Sequence, residues 1–351
     1  MATRTSTLIE KDTTMPPDPI SLQPANPEQH FVALAGQINT QETEPSTPET
    51  LADWYNKQVE EAIRFTVAVT PLGQVVGFNG IYRSYTNLER NYGIYVIVGE
   101  EFRQCGIGSW LYDHLFNQAS EMNALTLRAR VRDTCEQGIR FATRRGFEIK
   151  KQSIEMRFDL SAWDDRRYEP TLQVLRAQGF HFTNMAELGD TPEARRKLYS
   201  LNNNAAATDP GSDGVSPWAS FEEFERDVCQ SYWYHPDAQI VAIDTHTGEW
   251  AAMSAITVFE GSDHAYNLFT GTDVRYRGRK LALAVKSLAL RRAREFGVAA
   301  VRTSHNSENE AMIAIDTKLG YVRTPGTYVM VKEVRKIIGC RACALNPTLY
   351  L

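Results

Sequence analysis

Apolar residues recur at spacings of three and four through Ile107, Leu111, Leu115, Ala119 and Met122, and again through Leu281, Val285, Ala289, Ala293 and Phe296. Each set draws one stripe along an amphipathic helix. A strand-like run follows each, LTLRARV from Leu125 and AAVRTS from Ala299. A second helical stretch then ends at Gly146 or Gly320, where glycine suits the left-handed residue of a helix C-terminus. Every stripe position lies 174 residues from its counterpart, and so do Arg103 from Arg277 and Gly146 from Gly320. A constant offset without a gap marks an internal repeat.

Upstream the copies diverge but run in parallel. The first shows helical GQINTQE and TLADWYNKQVEEA, then strands RFTVAVT, VVGFNGIY and YGIYVIV. The second shows helical TPEARRKLYSLNNN and FEEFERDVCQ, then QIVAID, AAMSAITVFE and AYNLFTGT. Pro71-Leu72-Gly73 and Thr245-His246-Thr247-Gly248 read as hairpin turns. Each copy is thus strand, helices, antiparallel meander, helix, strand, helix, strand, a mixed α/β unit of about 150 residues. The expected layout is a disordered tail over 1–18, a first unit over 19–160, a linker over 161–170, a second unit over 171–335 and a tail over 336–351. Residues 202–217 read as a polar loop, either a cover for a cleft or a simple connection.

A chain of 351 residues favours two domains, and 42% hydrophobic with 23% charged residues is ordinary for a folded protein. A formal net charge of -5 leaves no basic excess for a phosphate backbone, so no nucleic-acid partner is expected. No apolar run reaches the length of a membrane span or a signal peptide, which points to the cytoplasm and to no membrane partner. Five scattered cysteines fit a reducing compartment. Cys340 and Cys343 form a CxxC without the second ligand pair that zinc needs, so no metal is expected.

Chemistry enters at Arg103-Gln104-Cys105-Gly106-Ile107-Gly108, where a strand gives way to a helix. The first turn of a helix has N–H groups without intrahelical partners, and the helix dipole adds positive charge there. Glycines let the backbone approach a phosphate, and an arginine adds a charged donor. The position where a dinucleotide fingerprint needs its third glycine is Leu111, and neither copy ends in the Gly-Lys-Ser/Thr of a P-loop. A pyrophosphate is the expected ligand of this fold, gripped twice in one chain.

The motif resembles the Arg/Gln-x-x-Gly-x-Gly/Ala signature of the GCN5-related N-acetyltransferase (GNAT) superfamily, over nearly the whole chain. The tandem arrangement is similar to that of double-domain, mycothiol synthase-like bacterial acetyltransferases. The resemblance implies two tandem acyl-CoA N-acyltransferase domains, each a mixed, mostly antiparallel central sheet flanked by helices. It implies acetyl-CoA as co-substrate. The pyrophosphate would lie on Val98, Arg103, Gln104, Cys105, Gly106, Ile107, Gly108 and Ser109, or on Thr272, Arg277, Gly278, Arg279, Lys280, Leu281 and Ala282. The pantetheine would insert between NYGIYVIV and LTLRARV, or between AYNLFTGTDV and AAVRTS.

The copies depart from the pattern differently. Lys280 stands where the first copy has Gly106, and either reaches a phosphate or points to solvent. In the second copy Asn306, Asn309 and Met312 resemble the superfamily's pantetheine-contacting segment, where the first has Arg132 and Cys135. The tyrosine that often protonates the leaving thiolate is replaced by Ala142 and Asp316. The usual base carboxylate is replaced by Tyr92 and Tyr266, so Tyr266 and nearby His264 are the catalytic candidates, with Asp263 an alternative base and His305 a further histidine. The expected reaction is direct attack of a small-molecule primary amine on the thioester, in a ternary complex, in the second domain. A backbone N–H near Phe269 to Gly271 would hold the oxyanion. The first domain would be degenerate or cofactor-holding. The competing reading is a non-catalytic acetyl-CoA sensor or scaffold, or a transferase with another acyl donor. The assembly would be a monomer, as an internal pseudo-dimer, or a homodimer.

Overall fold

The computed structural model describes residues 20–334 apart from 43, 58–62, 84–89, 165, 211 and 213–215. The expected tails, with Cys340 and Cys343, lie outside the described residues. The first copy runs β1 (Ser21–Pro24), α1 (Pro27–Asn39), α2 (Pro48–Lys57), β2 (Ile63–Val69), β3 (Val75–Arg83), β4 (Asn91–Val98), α3 (Ile107–Glu121), β5 (Thr126–Arg132), α4 (Glu136–Arg144) and β6 (Glu148–Asp159). The second runs α5 (Glu169–Ala177), β7 (Phe180–Asn184), α6 (Pro192–Ala207), α7 (Phe221–Phe224), β8 (Gln239–Asp244), β9 (Trp250–Thr257), β10 (His264–Thr272), α8 (Leu281–Glu295), β11 (Ala300–Asn306), α9 (Glu310–Leu319) and β12 (Val322–Glu333). The repeat survives at full precision: α3 and α8, β5 and β11, and β6 and β12 all begin 174 residues apart.

Local chemistry explains the starts and stops. The Asn26 side chain accepts from the N–H groups of Glu28 and Gln29, and Thr191 accepts from Ala194, each just before a proline in the first turn. Gly146 and Gly320 both take positive φ after α4 and α9. One loop is shorter than the sequence suggests. Residues 202–207 continue helix α6, because alanine favours the helix and Asn203 exchanges two hydrogen bonds with the backbone of Trp218. Glu169 and Pro170, expected in the linker, open α5.

The strands form one twelve-stranded sheet in the order β1-β2-β3-β4-β5-β12-β6-β11-β10-β9-β8-β7. The two copies do not close separately. The last strand of each crosses to the other, β12 pairing with β5 and β6 with β11, and the two crossing strands pair with each other. At the crossing, β12 kinks between Thr324 and Thr327, and a Cβ on Gly326 would lie 2.2 Å from the Ser153 carbonyl oxygen.

Helices cover both faces. On one, α3 buries Leu115 and Ala119 against Leu127 and Met330, while α8 buries Leu281, Val285 and Ala289 against Ala252 and Val301. On the other, α1 and α2 bury Phe31, Leu34 and Leu51 on Phe65 and Phe78, and α6 and α7 bury Leu198, Leu201 and Phe224 on Val241 and Met253. The predicted stripes are therefore the core faces. Only Met122 and Phe296, at their ends, are half-exposed.

Candidate functional site

In both copies the two central strands are parallel, and in both they part. β4 and β5 pair from Asn91 to Ile94 against Thr126 to Ala129, and β10 and β11 pair only from His264 to Tyr266 against Ala300 to Arg302. Their outer edges stay paired along most of their length with β3, β12, β9 and β6. The inner edges beyond the fork keep main-chain groups that an extended, amide-bearing ligand could satisfy.

The forks differ in one respect. β4 runs in unbroken register with β3, but β10 slips against β9 between Asn267 and Phe269, leaving Leu268 as a bulge. A bulge re-aims backbone groups, here at the point where the gap opens. Buried Asn267 fastens it. Its amide donates to the Ser254 hydroxyl (3.0 Å) and the Ala255 carbonyl (2.7 Å), its Oδ1 accepts from Thr270, and its backbone oxygen accepts from Thr303 across the fork. No motif marked Asn267; the signal available was a polar residue within an apolar strand.

The loops expected to hold a pyrophosphate follow each fork. Gln104 and Gly106 in one copy and Gly278 and Lys280 in the other all take positive φ, between 63° and 78°. Lys280 thus adopts the left-handed conformation that Gly106 adopts, and both immediately precede a 15-residue helix. Alternating conformations of this kind turn successive N–H groups toward one point, which suits an anion. Arg103 Nε donates to the Val98 carbonyl (3.2 Å) and Arg277 Nε to the Thr272 carbonyl (3.3 Å), so both arginines brace the loop from the same strand end. Ala282 occupies the place of Gly108, where a Cβ would meet Phe141 at 3.4 Å. Cys105 is exposed, and Ser109 accepts from Arg145, which lies 3.5 Å above the Phe141 ring and sets a second guanidinium beside the first loop. Beside the second loop, Gly278, Arg279 and Lys280 line a cleft of about 710 Å³ with Thr171 and Val174 of α5 and Gln178 just after it. Ile107 and Leu281 are buried and belong to the core.

The Asn segment behaves as architecture. Asn309 is buried, caps α9 through Met312 N–H and donates to Asp209 (2.7 Å), while Asn306 accepts from Glu308 N–H. Arg277 also donates to Thr208 (2.6 Å), so the chain leaving α6 ties the second loop to the start of α9. Burial pushes the Asp209 carboxyl above its usual range.

The catalytic candidates meet at the closed end of the second fork. The Tyr266 hydroxyl donates to Ser304 (2.8 Å), and burial raises its pKa. His264 lies between two carboxylates, Nε2 at 2.7 Å from Glu44 and Nδ1 at 2.8 Å from Asp263. Burial pulls its pKa down, but the hydrogen bonds to Glu44 and Asp263 outweigh it and the net shift is upward. Both ring nitrogens are engaged, so His264 is poorly placed to take a proton from a substrate. Glu44 comes from the first copy and also faces Arg302, which pairs with buried Glu155 of β6 (2.5 Å). The exchanged strand β6 thus brings Glu155, and the segment between α1 and α2 brings Glu44, from the first copy to the second fork, which local motifs do not reveal.

Residues 31–147 match the family model described as Acetyltransferase (GNAT) family. The match lies within the first copy. Over the whole chain, the fold is similar to a GCN5-related N-acetyltransferase from Sphaerobacter thermophilus, with a TM-score of 0.69, 18% identity and coverage of 92% of this chain and 98% of that one. A tandem GNAT protein from the clavulanic acid biosynthesis pathway gives 0.67, 17%, 90% and 98%. The GCN5-related glucosamine N-acetyltransferase region of a fungal multi-domain GH3 β-N-acetylglucosaminidase gives 0.69 at 12% identity, over 90% of this chain and 38% of that one. No curated protein gives a significant match. The chain therefore has the tandem GNAT fold: one mixed, mostly antiparallel sheet flanked by helices. Among the described residues no helix is long and apolar enough to cross a membrane.

Proposed function

We propose that this protein is an acyl-CoA-dependent N-acyltransferase that moves an acetyl group from acetyl-CoA to the primary amine of a small molecule, in the cytoplasm. The reaction belongs to the second GNAT unit, and the first holds cofactor or structure. The observation that carries this is the fork of β10 and β11, with a bulge where it opens and a left-handed phosphate loop at its far end. An acyl thioester on the loop would lie along the gap with its carbonyl at the bulge, where backbone N–H groups near Phe269 can hold the oxyanion. The amine attacks the carbonyl carbon, the C–N bond forms and the C–S bond breaks. Holding both reactants in one cleft supplies most of the advantage.

The first fork lacks the bulge but keeps the glycine pair, Arg103 and Arg145, which favours binding without turnover. The sensor reading keeps a foothold in Ala142 and Asp316, which stand where the resemblance expects a tyrosine acid. The test is calorimetry with acetyl-CoA and thiol release with a panel of amines, on Gly106→Trp and Ala282→Trp separately. Turnover lost only with Ala282→Trp is expected. Loss only with Gly106→Trp would reverse the assignment, and binding without turnover toward any amine would favour the sensor.

A further inference from the structure

At four matched positions the two copies differ in kind. Val131, Tyr112, Ala142 and Phe147 form part of an apolar cluster between β5, α3 and α4. Their counterparts, each 174 residues on, are His305, Lys286, Asp316 and Tyr321. Lys286 and Asp316 are both fully buried, with Nζ 2.5 Å from Oδ1 and no other polar partner for either atom among the described residues. The other carboxylate oxygen lies 2.5 Å from His305 Nε2. The Lys286 ammonium also lies 5.2 Å from the centre of the Tyr321 ring. Burial drives the Lys286 pKa down against the pull of Asp316.

The first copy shows that this fold needs no ion pair here. Burying two charges costs free energy that apolar side chains of similar volume avoid. A buried ionic cluster, where the matched copy has only the Tyr112 hydroxyl accepting from Lys332 (2.8 Å), is a mark of function. Its position fits. His305 is three residues past the last β10–β11 pair, and the Leu268 bulge on the opposite wall is two past it. At a rise of about 3.3 Å per residue the two stand at nearly the same depth in the gap. The His305 side chain keeps 10% of its surface exposed, and its Nδ1 has no hydrogen-bond partner among the described residues.

We propose that His305 is the proton donor to the leaving thiolate, held in orientation by Asp316 with Lys286 as countercharge. This rests on the acyltransferase reading of the second fork. When the tetrahedral adduct collapses, the C–S electron pair goes to sulfur, and the sulfur takes the proton from Nδ1 of the His305 imidazolium. The proton lost by the amine passes to solvent, and solvent returns one to His305. Free coenzyme A and the acyl amine are the products, and no other reactant is required. Asp316 and Lys286 act through His305 and are positioning residues. The charged and titratable groups around the ring are Asp316 from α9, Lys286 from α8, Tyr321 ahead of β12, and Asp209 beyond α6.

The test uses coenzyme A and desulfo-coenzyme A on the full-length protein, so it needs no knowledge of the amine. Imidazole nitrogen resonances and the thiolate absorption of bound coenzyme A are followed in wild type, His305→Gln and Asp316→Asn. The His305 signal is expected to shift with coenzyme A and not with desulfo-coenzyme A. Bound coenzyme A should carry about tenfold more thiolate near neutrality than free coenzyme A, an advantage lost in His305→Gln and reduced in Asp316→Asn. Identical responses to both ligands, with equal ionisation in wild type and His305→Gln, would overturn this role and leave the acyltransferase reading standing. Absence of coenzyme A binding that Ala282→Trp can abolish would remove both.

Discussion

Replacing Asp316 by alanine leaves the Lys286 ammonium fully buried without its counterion. The penalty has a ceiling, because lysine can fold neutral instead. At pH 7 that means surrendering a proton about 3.4 units below an ordinary lysine pKa of about 10.4, at about 1.4 kcal/mol per unit. Asp316→Ala should therefore cost about 3 to 5 kcal/mol at neutrality, the range typical of a broken buried pair. The pH dependence identifies the cause. In the variant the unfolded chain binds a proton that the folded one does not. Its stability should therefore climb with pH more steeply than that of wild type, by about 1.4 kcal/mol per unit toward the ordinary lysine pKa. The triple variant Lys286→Met, Asp316→Ala, His305→Val copies the apolar character of the first repeat, and should be neutral or stabilised by about 1 to 4 kcal/mol. Urea denaturation at several pH values, with the slope m compared among variants, reads all three. A cost below about 1 kcal/mol for Asp316→Ala, with no added pH slope, would mean that the site is wet and the reasoning fails.

Three further outcomes are expected. Gly326→Ala drives a Cβ into the Ser153 carbonyl at the strand crossing and should cost about 3 kcal/mol or more, whereas Gly108→Ala, which copies Ala282, should stay within about 0.5 kcal/mol; thermal denaturation compares them. Asn267→Ala removes the fastening of the bulge and should lower kcat about tenfold or more with little change in the KM for acetyl-CoA, which steady-state kinetics reads. The raised pKa of His264 means that its hydrogen bonds to Glu44 and Asp263 stabilise the fold fully below the ordinary histidine pKa of about 6.5, and that this is lost as pH rises through the elevated folded value. His264→Gln should thus cost about 1 to 3 kcal/mol at pH 5.5 and less at pH 8.5, as followed by denaturation at the two pH values.

The fold was legible where periodicity is strong and local. The stripes of α3 and α8 end up under the sheet because a helix at 3.6 residues per turn offers one apolar face, and β-strands follow them at matched distance. The loop conformation was half legible. Glycine signals positive φ, but Lys280 adopts it without glycine because the fork and the helix start on either side dictate the turn. The strand exchange was not legible. A strand with apolar and polar alternation pairs as well with β5 as with β11, and nothing local says which edge it meets. For the same reason Glu44 and Glu155 gave no sign of reaching the second fork, since each lies more than 100 residues from it in the chain.

The exchange explains how the two copies can differ so much and still depend on each other. One copy keeps the glycine pair, Arg103 and Arg145, with an apolar interior behind its fork. The other keeps the bulge, with Lys286, Asp316 and His305 behind its fork. Two independent domains could drift apart in stability, because the polar interior is the more costly one to bury. Here neither can unfold alone without baring the strand edges of the other. β5 would lose β12, β11 would lose β6, and each would expose a row of unpaired main-chain groups. The shared ladder lets the copy with the apolar interior support the copy with the buried ionic cluster, so the cost of that cluster falls on the whole sheet rather than on one half.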